Sequence, residues 1–469
     1  MRLFPALAAA ALAVGCATLP ELHPWVRDGG VTQPATMVAP RGPVSAERAR
    51  AVLARLGAQG NSDLLERHTA IEEAVSGAPL TLGNAATLLY DGPAFYSSLR
   101  DAIMSARDHV NLEFYIIEDD AVGRRFSDAL LKKAAEGVSV NLIYDSVGSI
   151  ATPREYFERL RAGGVNVLEY NPVNPLRARS GWRINNRNHR KIAIIDGRVG
   201  YAGGINISSV YARGSSPGRG GGASGSGSLS GSRGSRAGSA PGWRDTNVRI
   251  EGPAVGQLQR LFLDTWSKQH GAPLTEREWF PATPIAGRHP VRVLASGPGD
   301  EAPAIYVSLL SAIAYAERTV YITMAYFVPD EQTIEALRQA AARGVEVVLV
   351  LPSYTDFWAV FHAGRARYAE LLQAGVKIYE RQSALLHAKT AVIDGVWSTV
   401  GSSNMDWRSF LHNEELNVVV LGANFGGQME TMFKRDMGES RAIEVEAWNS
   451  RPVSDRMKEW AARVWEYWL

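Results

Sequence analysis

The chain contains one cysteine in 469 residues, Cys16, so an intramolecular disulfide is excluded. Cysteine usage therefore says nothing about redox compartment. Charge bias is also missing: 50 Lys and Arg face 48 Asp and Glu, a formal net charge of +2. No global basic field argues for a nucleic-acid partner. Long apolar runs are absent as well. Leu3 to Val14 is the longest, short of the roughly 20 residues that span a bilayer. No His, Asp or Glu grouping has the spacing of a metal site, so no metal or other cofactor is expected. The length exceeds what one hydrophobic core usually serves, which predicts two domains or two halves.

What is present is a repeat. His189-Arg-Lys191 runs to Asp196 and then Gly203-Gly-Ile-Asn206; His387-Ala-Lys389 runs to Asp394 and then Gly401-Ser-Ser-Asn404. Matched positions at matched spacing in one chain are very improbable by chance. In a strand, residues i and i+2 point to one face, so each His and Lys project together. The Asp-Gly that follows is a hairpin signal, and the returning strand brings the Asn alongside. Two such copies facing each other place two imidazoles and two ammoniums around a small anion. That predicts a phosphate site with a nucleophile and a general acid.

The surrounding pattern repeats too. Val110–Ile117 and Val320–Phe327 alternate like strands, and each precedes a helical stretch that stops at Gly137 or Gly344. Strands from Val138 and Val345 follow, then a second helix and a short strand before each His-x-Lys. The prediction is two pseudo-symmetric α/β halves with mixed sheets and the active site at their interface. The expected boundaries are residues 80–275 and 276–469, after an N-terminal extension over 17–79. Helices are predicted from Ser45 to Leu56 and from Asn61 to Ala74, with no chemistry assigned. From Asn206 to Asp245 is 39 positions, whereas Asn404 to Glu415 is 11. The surplus falls on Gly214 to Gly242, a Gly/Ser-rich stretch unable to bury a core and expected to be flexible. Its Arg219, Arg233 and Arg236 are read as solvated.

The paired motifs resemble the phospholipase D superfamily, whose signature is His-x-Lys-x4-Asp. Ala325-Tyr-Phe-Val-Pro-Asp330, Gly401-Ser-Ser-Asn-Met-Asp-Trp-Arg-Ser409, Asn413-Glu-Glu-Leu-Asn417, Leu88-Leu-Tyr-Asp-Gly92 and Trp243-Arg-Asp-Thr-Asn247 are similar to bacterial cardiolipin synthases. The resemblance implies His189 as nucleophile, forming a phosphohistidine, and His387 as acid and base. It implies Lys191, Lys389, Asn206 and Asn404 on the phosphoryl oxygens. Asp245 and Glu415 occupy matching places downstream and are expected to hold the proton on each Nδ1. Asp196 and Asp394 belong to the candidate catalytic set as motif residues, although an Asp-Gly turn is their simpler role. Tyr115, Tyr326, Asp145 and Ser353 end strands at the predicted site edge, and His362 is a candidate headgroup contact. Near the C-terminus Trp460, Val464 and Trp468 recur at helical spacing, either as core or as a membrane-interface helix.

The implied reaction joins two phosphatidylglycerol molecules into cardiolipin with release of glycerol. The alternative is hydrolysis of phospholipids to phosphatidic acid. Expected partners are phosphatidylglycerol, other phospholipids and the membrane surface. Nuclease relatives are usually short, basic and one-motif, which this chain is not. Small residues before Cys16, after a positive start and an apolar run, resemble a bacterial lipoprotein processing site over residues 1–16. A lipid on Cys16 would hold the chain at the cell envelope, on the outer membrane or periplasmic face. Cys16→Ser should then abolish acylation and processing. Intact-mass analysis of detergent-extracted protein checks this: a mature N-terminus elsewhere, or an unmodified Cys16, contradicts the anchor.

Overall fold

The computed structural model describes residues 19–21, 35–57, 63–174, 176, 182–215 and 242–464. Cys16, Arg219, Arg233, Arg236 and Trp468 lie outside the described residues. The two predicted halves are there, and their strand orders match. In the first, Asn166–Tyr170, Ser139–Asp145 and His109–Phe114 run parallel. Antiparallel strands Lys191–Ile195, Val199–Gly203, Asn247–Glu251 and Leu80–Leu89 follow. In the second, Lys377–Arg381, Glu346–Pro352 and Thr319–Met324 are parallel. Lys389–Ile393, Trp397–Gly401, Asn413–Leu421 and His289–Ser296 complete it.

The sheets are not separate. Leu80–Leu89 pairs with Asn247–Glu251 through its second part and with His289–Ser296 through its first. The mixed sheets thus fuse into one, with eighteen strands among the described residues. The repeated period-2 patterns become strands buried on both faces, because helices cover both sides. Helix starts match as well: Asp120 caps Ala121–Ala135 by accepting from Val122 N and Gly123 N, and Asp330 caps Glu331–Ala342. Gly137 (φ +87°) and Gly344 (φ +89°) follow those helices in the left-handed region, as the stop signal predicts.

The extension preceding residue 80 packs chiefly on the second half. Ser45 caps the helix Ala46–Leu56, and the second predicted helix is a π turn, Leu64–His68, running into Thr69–Ser76. Leu64, Leu65 and Ile71 share one apolar cluster with Ile305, Leu309 and Ile393. Buried Glu72 bonds Arg292 (2.9 Å), Ser308 (2.6 Å) and Trp397 (3.1 Å). An extended polar tail would pay the ordering entropy without this burial; the apolar stripe and the satisfied carboxylate offset it.

The ends of the Gly/Ser-rich insertion meet. Gly242 N donates to Gly214 O at 3.4 Å, and the fully buried Ser215 accepts from Arg381 at 3.3 Å through its carbonyl. Ser215 therefore belongs to the packed scaffold, which reaches two residues into the stretch expected to be flexible. Excising residues 216–240 should shift the melting temperature by less than about 5 °C, since loop closure costs little more with length. A larger drop in a thermal melt would show that the segment packs.

Candidate active site

Backbone pairing between the halves builds the site. Arg187–Asn188 runs parallel to Asn413–Glu414, and His189 N donates to Glu414 O at 2.9 Å. The counterpart repeats it: Arg244 N donates to Leu385 O (2.8 Å), and His387 N to Arg244 O (2.7 Å). Each histidine is thus pinned beside the residue preceding the other half's carboxylate. The side chains complete the crossing. His189 Nδ1 lies 2.9 and 3.1 Å from the Glu415 oxygens, and His387 Nδ1 lies 2.7 Å from Asp245 Oδ2. With the carboxylates ionised, both imidazoles carry their proton on Nδ1, leaving each Nε2 for the cavity that both rings line.

Electrostatics favour that protonation state. Burial lowers the pKa of His189 and of His387, in the latter case with help from the Lys389 ammonium. Burial alone would raise Glu415, but His189, Lys191 and the Ser402 hydroxyl (2.5 Å) outweigh it and hold it well below the usual range. Burial also brings Lys191 down to about 7 and lowers Lys389. Each ammonium donates to the carbonyl of its own histidine, Lys191 at 2.5 Å. Both lysines are buried behind the histidines rather than forming the cavity wall.

The cavity has a volume of about 460 Å³, within the usual range for a small-molecule site. Asn206 and Asn404 line it. Asn206 Oδ1 accepts from Ile116 N (3.0 Å), and Asn404 presents a buried Oδ1 with no hydrogen-bond partner among the described residues. Tyr115 and Tyr326 also line it; the Tyr115 ring meets His189 edge-on with centroids 5.0 Å apart. Asp145 does not. It is buried against Arg187 (3.5 Å) and accepts from Asn188 N (2.9 Å), fixing the approach to His189. Ser353 and His362 are not in the wall either; His362 packs between Trp358 and Phe361.

Asp196 and Asp394 are corrected from catalytic candidates to turn anchors. Both have positive φ, 51° and 53°, at the far ends of the His-x-Lys strands. Asp196 accepts from the N–H groups of Arg107, Asp108 and His109, each at 2.9 Å. Asp394 accepts from Glu317, Arg318 and Thr319 at 2.8–2.9 Å. With their oxygens committed to backbone donors, these carboxylates tie each hairpin to the strand beside it.

Some wall residues escaped the sequence reading. Tyr211 and Trp243 flank the insertion in the first half, yet both face His387 of the second. The Tyr211 hydroxyl is 3.3 Å from His387 Nδ1, and the Trp243 ring centroid is 5.6 Å from that of His387. Asp356 accepts from the Tyr326 hydroxyl at 2.6 Å, and Asp406 and Arg408 come from the second motif's tail. The crossing of halves, invisible to in-register comparison of the repeats, hid the first two.

A family model described as "Cardiolipin synthase, PLD-like domain" matches residues 99–214 and 309–437. Cardiolipin synthase 1 of Staphylococcus epidermidis is 35% identical over 389 residues, 82% of this chain and 74% of that protein. Cardiolipin synthase A of Pseudomonas putida is 36% identical over 377 residues, 78% and 71% respectively. The crystal structure of phosphatidylserine synthase from Haemophilus influenzae aligns with a TM-score of 0.60 at 11% identity. It covers 85% of this chain and 98% of that one, a likeness of fold alone. With the family model matching over half of the chain and curated relatives above 30% identity across most of it, the chain belongs to the cardiolipin synthase family of phospholipase D-like proteins.

Proposed function

We propose that the chain transfers a phosphatidyl group from one phosphatidylglycerol to the glycerol hydroxyl of another, giving cardiolipin and glycerol. The observation that carries this reading is the crossed pair of carboxylate-bound imidazoles facing one cavity. In the first step His189 Nε2 attacks phosphorus, and the P–O bond to the departing glycerol breaks. His387, protonated, gives its Nε2 proton to the leaving oxygen. In the second step the acceptor's hydroxyl returns a proton to His387, its oxygen attacks phosphorus, and the P–N bond breaks. The negative phosphodiester between the two imidazoles favours the charged form of His387, offsetting the lowering by burial.

Lys191 and Lys389 act through their charge from behind the histidines, and the Asn206 and Asn404 amides meet the phosphoryl oxygens directly. Glu415 orients the nucleophile and Asp245 the acid. Water attacking in the second step would instead yield phosphatidic acid. The relatives, named for synthesis, favour the alcohol.

Such substrates put the site at a bilayer. Among the described residues no helix is long and apolar enough to cross a membrane. The helix Val453–Arg463 and the residue after it show Val453, Met457, Trp460 and Val464 on one stripe, each at least 66% exposed. That excludes the core-packing alternative for Trp460 and Val464. Arg456 and Arg463 lie beside the stripe on the helical wheel, suited to anionic headgroups. The opposite face packs Ala462 against Val360, a wall residue of the cavity. We read this helix, together with an anchor at Cys16, as contact with the envelope membrane.

Purified full-length protein incubated with labelled phosphatidylglycerol in mixed micelles should yield cardiolipin plus glycerol, with or without EDTA. His189→Ala and His387→Ala should each reduce turnover by about 10⁴-fold or more, since nucleophile and acid act as a unit. Lipid chromatography decides it. Phosphatidic acid as sole product, or several per cent activity in either variant, contradicts the reading.

A further inference from the structure

Transfer of a phosphatidyl group to phosphatidylglycerol involves two phosphates, and the histidine pair accounts for only one. The acceptor keeps its own phosphodiester, a monoanion, throughout the second step. Bringing that charge beside the phosphoryl centre is unfavourable unless a second cation meets it. Among the described residues lining the cavity, the only lysine or arginine is Arg408.

Arg408 differs from the protein's other shielded arginines in its company. Arg190 pairs with Glu414 (2.5 Å), Arg187 with Asp145 (3.5 Å), and Arg244 and Arg381 both with Asp436 (2.7 and 2.8 Å). Arg292 has Glu72 at 2.9 Å, and Arg365 pairs with Glu380. Half-buried Arg408 has no carboxylate within ion-pair distance among the described residues. It donates to Asn185 twice, through Nη1 to Oδ1 (2.9 Å) and Nη2 to the carbonyl (3.2 Å). These neutral oxygens orient the guanidinium without compensating its charge. A guanidinium has five N–H donors, so others remain for a ligand.

The nearby acids do not take that place. Asp406 turns an oxygen to Ser409 N (2.7 Å) as the cap of Trp407–Leu411, and burial pushes its carboxyl up to about 7. Asp356 accepts from Tyr326 and Thr355. A half-buried, oriented arginine with no carboxylate in ion-pair contact among the described residues is the arrangement that takes a phosphate bidentately.

We propose that Arg408, held by Asn185, is a second anion subsite that binds the phosphodiester of the acceptor phosphatidylglycerol. The proposal rests on the transfer reading and deepens it. The donor phosphate lies between the histidines, and the acceptor phosphate lies at Arg408 with its glycerol hydroxyl directed toward the phosphohistidine. Arg408 thereby favours lipid alcohol over water at the second step, since water carries no phosphate for it to hold. Asn185 comes from the first half and Arg408 from the second, so this subsite, like the histidine pairs, spans both.

The test compares the full-length protein with Arg408→Gln, Arg408→Lys and Asn185→Ala on labelled phosphatidylglycerol in mixed micelles. It reads cardiolipin and phosphatidic acid together. Loss of a charge-assisted contact to phosphate predicts a fall in the cardiolipin-to-phosphatidic acid ratio of roughly 10- to 100-fold for Arg408→Gln. The apparent KM for phosphatidylglycerol in the transfer step should rise with it. Arg408→Lys, which keeps the charge but not the fork, should recover part of the ratio. Asn185→Ala, which keeps the arginine and loosens its tether, should alter the ratio less than Arg408→Gln does. A wild-type ratio in Arg408→Gln overturns the subsite, as does Asn185→Ala reproducing the full Arg408→Gln defect, which would make Arg408 a loop anchor. Wild-type protein that makes phosphatidic acid alone overturns the transfer reading, and the acceptor subsite with it.

Discussion

The crossed backbone pairing between the halves is the constraint on which the site depends. His189 N to Glu414 O and His387 N to Arg244 O fix each motif strand against the other half. The carboxylate one residue beyond each of those carbonyls then falls on the opposite histidine. Neither half holds a complete imidazole–carboxylate pair by itself. Joining the halves is what assembles the two imidazole–carboxylate pairs, so chain continuity through Leu80–Leu89 serves the site as well as the sheet.

Buried charge enforces the same union. Arg190, the middle residue of the first His-x-Lys, reaches Glu414 at 2.5 Å, and Arg244 reaches Asp436 at 2.7 Å, both across the halves. Truncating one partner of a fully buried pair such as Arg244–Asp436 leaves an uncompensated charge, a loss of about 3–5 kcal/mol. The enclosure that makes these pairs costly to break also lowers both histidines and both lysines. Neutral imidazoles are thereby favoured at both positions.

Much of this was legible because it repeats. Spacing alone gave the paired strands, the Asp-Gly turns and the helix stops at Gly137 and Gly344, since periodicity and turn chemistry are local properties. Asp245 and Glu415 were found by matching the copies once the insertion was set aside. The exchange of carboxylates between halves was not legible, because an internal repeat is silent on whether its copies pair within themselves or with each other. Tyr211 and Trp243 were missed for that reason. The lysines were expected at the cavity wall and lie behind it, because strand alternation gives a face but not a depth. Asp196 and Asp394 show the reverse case: a motif position whose role is set by the turn that places it.

The central claim is that His189 attacks while His387 of the other half serves as acid and base. A phosphodiester donor with a nitrophenolate leaving group needs no proton at departure, so it separates the two roles. In His387→Ala such a donor should give a stoichiometric burst of nitrophenolate, and mass spectrometry should find the phosphoryl adduct on the peptide containing His189. The same donor with His189→Ala should give neither. A burst in His189→Ala, or no adduct on His189 in His387→Ala, would contradict the account.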